Sequence, residues 1–223
     1  MDATDVNVDE SINFVISVTN LGEQDVVRAK GTIEIYNPAD EKIATVYTEE
    51  KSIKTTITEK LYTQWKPDEE GEYKAIATVN YDGKIAKTEK TFRVGILLIK
   101  IIDYTKKFQK ATKNSFDIEI KSEWNEKISN VYANILISDE NDIEIANIKT
   151  PSEDVDPWGK KILTALWDIE DLSLGTYNAN ITLYYADKTT EKIVEVGIVK
   201  ELGKIKISST MIYIIIAICI ILV

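Results

Sequence analysis

The chain has 223 residues, enough for one or two domains, and carries 37 Asp and Glu residues against 27 Lys and Arg residues. Its net charge of −10 argues against nucleic-acid binding, because phosphates require a basic surface. The sequence has no histidine and a single cysteine, Cys219, which excludes imidazole catalysis, His-ligated metal sites and internal disulfides. The abundant Ile, Val, Thr and Tyr residues favour strands.

Short strands separated by turn signals follow one another along the first half of the chain, at a spacing typical of a β-sandwich. Residues 11–23, SINFVISVTNLGE, alternate apolar and polar side chains. Further strands are predicted in 31–47 (a hairpin around the turn at 37–40), 55–65, 71–81 and 84–94. No segment before Ser208 has a sustained helical period.

The second half repeats this order. At an offset of 102 residues, Phe14 matches Phe116, Ile16 matches Ile118 and Trp65 matches Trp167. The offset widens to 104 at Gly71 and Gly175, and we expect it to return to 102 where Val94-Gly95 meets Val196-Gly197. Both changes are expected in loops, which absorb length cheaply. The repeat predicts two domains of one fold.

A strand in front of the second copy, Ile96 to Asp103, has no counterpart after Met1. Its equivalent in the first copy would lie before Met1. We expect that this first strand is missing because the chain begins inside a longer gene product; the alternative is a first domain that does without it.

Each copy carries a Gly-x-Tyr-x-Ala motif, at Gly71-Glu72-Tyr73 and at Gly175-Thr176-Tyr177. The Tyr resembles the tyrosine corner of immunoglobulin domains, whose hydroxyl bonds back to the backbone. The cysteine of true immunoglobulin domains is replaced by Ala75 and Ala179.

Residues 16–22, ISVTNLG, resemble the V-x-V-x-N-x-G strand of CARDB-type and related immunoglobulin-like or fibronectin-III-like modules. The resemblance covers roughly 6–95 and 105–197, and the second copy does not keep the Asn-x-Gly turn. It implies tandem modules of archaeal or bacterial cell-surface proteins, with adhesion, spacing or surface-layer roles more often than catalysis.

Residues 208–223 include the apolar run MIYIIIAICIILV. Counted from Ile207 the segment spans about 25 Å as a helix, slightly short of a bilayer core of about 30 Å. A buried core segment is the alternative. The predicted fold is therefore all-β: two tandem immunoglobulin-like β-sandwiches (1–95 and 96–198), a basic juxtamembrane linker (199–207) and a C-terminal transmembrane helix (208–223).

Few residues suggest binding chemistry. Glu153, Asp154 and Asp156 form an acidic cluster that is a weak candidate for Ca²⁺ binding, against a plain Pro-Trp-Gly loop. The acidic turn at 138–142 reads as a solvated hairpin turn because its counterpart at 37–41 falls in the same hairpin. Trp124 and Trp158 have no counterpart in the first copy and are candidates for surface contacts. We expect no catalytic residue, no resident metal and no cofactor.

These features predict a non-enzymatic protein of the cell membrane that acts as an adhesion, scaffold or spacer module. Its expected partners are membrane lipid, through the C-terminal helix, and a protein or glycan at the cell surface. Three lysines precede the apolar run, and the rule that the cytoplasmic flank of a membrane helix is basic would place the domains in the cytoplasm. The type of module favours the outside of the cell. The alternatives are the anchored binding module of a larger secreted enzyme or transport complex, and a tail-anchored cytoplasmic interaction protein.

Overall fold

The computed structural model describes residues 1–110 and 113–200. The predicted transmembrane helix at 208–223 and most of the predicted linker lie outside them. Within the described residues no helix has the length and apolarity needed to cross a bilayer. The strands form two β-sandwiches in succession, so the all-β prediction is confirmed.

The first domain is built from eight strands. They are β1 (Val6–Asn7), β2 (Ile12–Thr19), β3 (Val26–Tyr36), β4 (Lys42–Tyr47), β5 (Lys51–Ile53), β6 (Thr58–Trp65), β7 (Gly71–Tyr81) and β8 (Lys84–Gly95). One sheet has the order β1-β8-β7-β3-β4, with β5 also on β3, and the facing sheet is the antiparallel pair β2-β6. Apolar side chains alternate with polar ones along β2 and β7, as a half-buried strand requires.

The second domain repeats this arrangement with one strand more. Its strands are β9 (Ile99–Tyr104), β10 (Lys107–Gln109), β11 (Asn114–Ser122), β12 (Ile128–Ser138), β13 (Glu144–Lys149), β14 (Glu153–Val155), β15 (Lys160–Trp167), β16 (Gly175–Tyr185) and β17 (Lys188–Val199). The sheets are β10-β17-β16-β12-β13, with β14 on β12, and β15-β11-β9. In each domain a six-stranded sheet faces a smaller one, and a short strand at its edge runs parallel to the last strand, which is an immunoglobulin-like arrangement.

The strand registers correct one detail of the repeat. Gly71 lies opposite Val94 on β8, and Gly175 lies opposite Ile198 on β17. The offset therefore stays at 104 to the end of the last strand, and the expected return to 102 at Val196-Gly197 is wrong. The reason is that both hairpins have the same two-residue turn, so no deletion separates the copies there.

An exchange of side-chain size keeps the two cores equivalent. The first core has Val6 on β1 and Phe92 on β8, whereas the second has Phe108 on β10 and Val196 on β17, all of them buried. One aromatic ring is thus supplied by the last strand in one domain and by its parallel neighbour in the other. Conserving total volume in this way keeps a close-packed core intact.

The domains differ at the edge of the smaller sheet. In the second domain β9 pairs with β11 and buries Ile99 and Ile101. In the described part of the first domain, only the isolated bridge between Asp2 and Val15 lies on the corresponding edge of β2.

Candidate functional site: the junction between the domains

The acidic cluster on and beside β14 is held by lysines. Glu153 lies 2.9 Å from Lys161, and Asp154 lies 2.7 Å from Lys127. The Lys127 ammonium and the backbone N–H of Asn130 lower the pKa of Asp154. Asp156 is exposed. No group of three or more Cys, Asp or Glu side chains within 1–110 and 113–200 is placed to hold a metal ion, so Ca²⁺ binding gains no support from this geometry.

The acidic turn at 138–142 has a structural explanation. Asp139 Oδ1 accepts hydrogen bonds from the backbone N–H groups of Asn141 and Ile143, at 2.9 Å each. Asn37 Oδ1 does the same in the first domain, with Ala39 and Glu41. Backbone donors from the turn lower the pKa of Asp139. The side chain therefore closes a hairpin in both copies.

Both Gly-x-Tyr motifs form the bond of a tyrosine corner. The Tyr73 hydroxyl donates to the Glu69 carbonyl, and the Tyr177 hydroxyl donates to the Ser173 carbonyl, each at 2.9 Å. Gly71 and Gly175 have φ values of +151° and +156°, which side chains rarely adopt. Glycine is therefore needed at the start of β7 and of β16.

The segment that connects the domains is short, and both of its ends are hydrogen-bonded to Glu123. Three residues, 96–98, separate β8 from β9. The Ile96 N–H donates to the Glu123 carbonyl at 2.8 Å, and the Glu123 N–H donates to the Leu98 carbonyl at 2.9 Å. The connection thus runs as a strand-like segment against the end of β11.

Asn125 of the second domain forms two hydrogen bonds to the first domain and one to Trp158 of its own domain. Its backbone N–H donates to Asn7 Oδ1 and its Nδ2 donates to the Asp5 carbonyl, both at 2.9 Å. Its Oδ1 accepts a hydrogen bond of 3.0 Å from Trp158 Nε1. Asn7 is fully buried. Asn125 therefore holds Asp5 and Asn7 of the first domain as well as the indole of Trp158.

Arg93 on β8 covers the same place from the first domain. Its guanidinium binds the Asp5 carboxylate, with Nη2 at 2.7 Å, and lies 4.5 Å from the centre of the Trp158 ring. Both the ion pair and the stacking orient the guanidinium plane. Trp158 itself has φ +56°, unusual for a bulky residue, and its backbone N–H donates to the Trp124 carbonyl. The surrounding contacts hold this strained backbone in place.

Gly95 lies in close contact with atoms of both domains. A Cβ at this position would be 2.8 Å from the Glu123 carbonyl oxygen, 2.8 Å from the Trp158 ring and 2.9 Å from Asn7 Oδ1. Only glycine fits without displacement of these atoms. We call Asp5, Asn7, Arg93, Gly95, Glu123, Asn125 and Trp158 the junction.

The structure places the two candidate tryptophans differently. Trp158 is half-buried in the junction, and Trp124 is half-buried against the core of the second domain. A contact with an external partner stays a prediction for both. Sequence reasoning missed Arg93, Asn7 and Asn125. The repeat could have pointed to Asn125, because its counterpart in the first copy is Glu23, a residue of a different type at the same place in the fold.

Comparisons with known proteins show similarity to solved structures alone. No protein-family model and no curated protein match the sequence. Solved structures with similarity to this chain include red sea bream transglutaminase, with 11% identity over 87% of this chain and 30% of that chain at a TM-score of 0.38. Dimeric latent PorU from Porphyromonas gingivalis has 15% identity over 90% of this chain and 19% of that one, at 0.35. Native alpha-2-macroglobulin from E. coli has 8% identity over 89% and 16%, at 0.34. The chain spans less than a third of each, and similarity at this level carries no argument about function.

Proposed function

We propose that this chain is a non-enzymatic scaffold or spacer, in which two immunoglobulin-like sandwiches form a stiff unit that residues 208–223 hold at the outer face of a cell membrane. The observation that carries the proposal is the junction. Domains in one chain move relative to each other unless their interface restrains them. Here the interface is restrained by two hydrogen bonds from Asn125, the contact of the Arg93 guanidinium with the Trp158 ring, and the close approach of Gly95 to Glu123 and Trp158.

The junction restrains the angle between the domains because several of its contacts cross from one domain to the other. Asn125 binds Asn7 and the Asp5 carbonyl, and the Arg93 guanidinium contacts the Trp158 ring. A hinge at 96–98 would have to break several of these contacts together. Such a unit transmits force and sets a distance, which is the task of a spacer.

The proposed partners follow from the apolar C-terminal run and from the net negative charge of the chain. The apolar run in 208–223 suits membrane lipid, and the acidic surface suits a protein or glycan partner better than nucleic acid. With no histidine in the chain, catalysis would depend on carboxylates, lysines or hydroxyls. The acidic groups at β14 are instead engaged by lysines.

Protease treatment of intact cells tests the location. The second domain is followed by blotting, with a cytoplasmic protein as control. Loss of the second domain while the control survives is the expected result. Loss only after lysis would overturn the proposal and place the domains in the cytoplasm.

A further inference from the structure

Strand β15 is an edge strand of the smaller sheet in the second domain, and its outward face carries two exposed apolar side chains. In the part of the chain that the structure describes, β15 pairs with β11 on one side only. Ile162 and Leu166 on its outward face are 58% and 64% exposed. Proteins usually place charged or polar residues on an open edge strand, because free backbone groups beside apolar side chains are a template for a further strand.

The first domain follows this rule at the equivalent strand. Strand β6 pairs with β2 as β15 pairs with β11. At the repeat offset of 102, Ile162 and Leu166 correspond to Lys60 and Gln64, which are both exposed. The apolar pair is therefore specific to the second domain and is not required by the fold that the two domains share.

The backbone groups of β15 point alternately to β11 and to the open edge. The Ser122 N–H donates to the Gly159 carbonyl, so Gly159 points to β11. Because the direction alternates along an antiparallel strand, residues 161, 163 and 165 also point to β11. The N–H and C=O groups of Ile162, Thr164 and Leu166 therefore point to the open edge.

The sequence of β15 is complementary to itself in one antiparallel register. When Thr164 lies opposite the Thr164 of a second copy, Ile162 lies opposite Leu166 on both sides of the centre. In the same register Lys160 lies opposite Asp168, which directly follows the strand and is exposed. A shift of two residues would instead place Lys160 opposite Leu166, or Ile162 opposite Asp168. Apolar and charged partners match together in the first register alone.

We propose that two copies of this chain pair through β15 as an antiparallel two-fold dimer. Main-chain hydrogen bonds of Ile162, Thr164 and Leu166 join the two three-stranded sheets into one sheet of six strands. Such an interface is isologous, since each copy contributes the same surface. The Ile162 and Leu166 side chains cover each other twice, and Lys160 binds Asp168 at both ends. The inference goes beyond the proposed function, because the dimer requires neither a membrane nor another protein.

Sedimentation velocity of the full chain in detergent tests the proposal. We expect a monomer–dimer equilibrium that shifts with protein concentration. The double variant Ile162→Lys with Leu166→Gln carries the residues that the first domain has at these positions, so the fold accommodates them. Its dimerisation should be weaker by about tenfold or more. The matched control Ile193→Lys changes an isoleucine that is 75% exposed on β17, in the other sheet, and should leave dimerisation unchanged.

An exchange of charges tests the register. Asp168→Lys places two lysines opposite each other at both ends of the pair and should weaken dimerisation by about threefold or more. Addition of Lys160→Glu restores opposite charges and should return dimerisation to that of the unchanged chain. A local effect of either substitution on folding would not be reversed by the other. Absence of this recovery would overturn the proposed register.

Three results would overturn the dimer itself. One is a monomer at every concentration measured. Another is a dimer that the double variant leaves intact, since it would form through a different surface, such as residues 208–223, which every variant keeps. The third is protection of the amides of Ile162, Thr164 and Leu166 from hydrogen exchange in the monomer, which would show that the same chain covers this edge. None of these results affects the stiff junction or the protease experiment.

Discussion

Asn125→Ala should loosen the junction without unfolding either domain. The substitution removes the hydrogen bonds of Nδ2 to the Asp5 carbonyl and of Oδ1 to Trp158 Nε1. Each such bond contributes about 0.5–1.5 kcal/mol net. Because Asn125 and Trp158 are half-buried, water can replace part of what is lost. Because only the Nδ2 bond crosses from one domain to the other, the expected cost is about 0.5–1.5 kcal/mol of coupling between the domains, a factor of about 2–13 in the population of separated orientations.

Distances between spin labels measure this change directly. Ile85 and Ile193 lie in different domains and are 62% and 75% exposed, so cysteines there tolerate a label. Cys219 is replaced by serine in the same chain. Double electron–electron resonance should give one narrow distance distribution for the parent and a broader one for Asn125→Ala.

Asn147→Ala is the matched control, because Asn147 is exposed on β13, away from the junction. It should leave the distribution unchanged. If Asn125→Ala also leaves the width and mean unchanged, the two side-chain bonds do not restrain the domains and the reasoning is refuted.

Three further outcomes are expected. Tyr177→Phe should lower the free energy of unfolding of the second domain by about 1–2 kcal/mol in chemical denaturation, because it leaves a backbone carbonyl without its donor. Tyr62→Phe, at an exposed position, should cost much less. Equal costs of the two substitutions would contradict a tyrosine-corner role for Tyr177. Burial, with the carboxylates nearby, raises the pKa of Tyr73 above its ordinary value of 10.0. The folded state then holds the phenolic proton more tightly than the unfolded state, so this contribution to stability is complete below pH 10 and is lost as the pH rises above it. Tyr73→Phe should therefore make the free energy of unfolding of the first domain depend less on pH in the alkaline range. An unchanged pH dependence would contradict this role of Tyr73. Gly95→Ala should broaden the spin-label distances as Asn125→Ala does, since its Cβ would displace the Glu123 carbonyl and the Trp158 ring, while intrinsic fluorescence and circular dichroism should show both domains folded.

The strands and the doubling of the fold were predictable because both leave local signals. Alternation along segments such as 12–19 reflects one buried face, and a turn motif such as Gly71-x-Tyr73 reflects a backbone that needs glycine. The registers of the last strands were not predictable in the same way. A Val-Gly pair recurs by coincidence in both copies, and only the pairing across the hairpins fixes the offset.

The junction could not be predicted because its partners are far apart in the sequence. Asn125 binds Asn7 and Asp5, which precede it by 118 and 120 residues. The two tryptophans stood out only as departures from the repeat, and the ring of Trp158 could not be placed without Arg93 and Gly95.

Residual dipolar couplings measured for both domains in one weakly aligned sample test the central claim, that the two sandwiches form one stiff unit. If the junction fixes their orientation, a single alignment tensor fits the backbone couplings of both domains, with the same magnitude in each. Two tensors of different magnitude would show that the domains move independently, and would contradict the account.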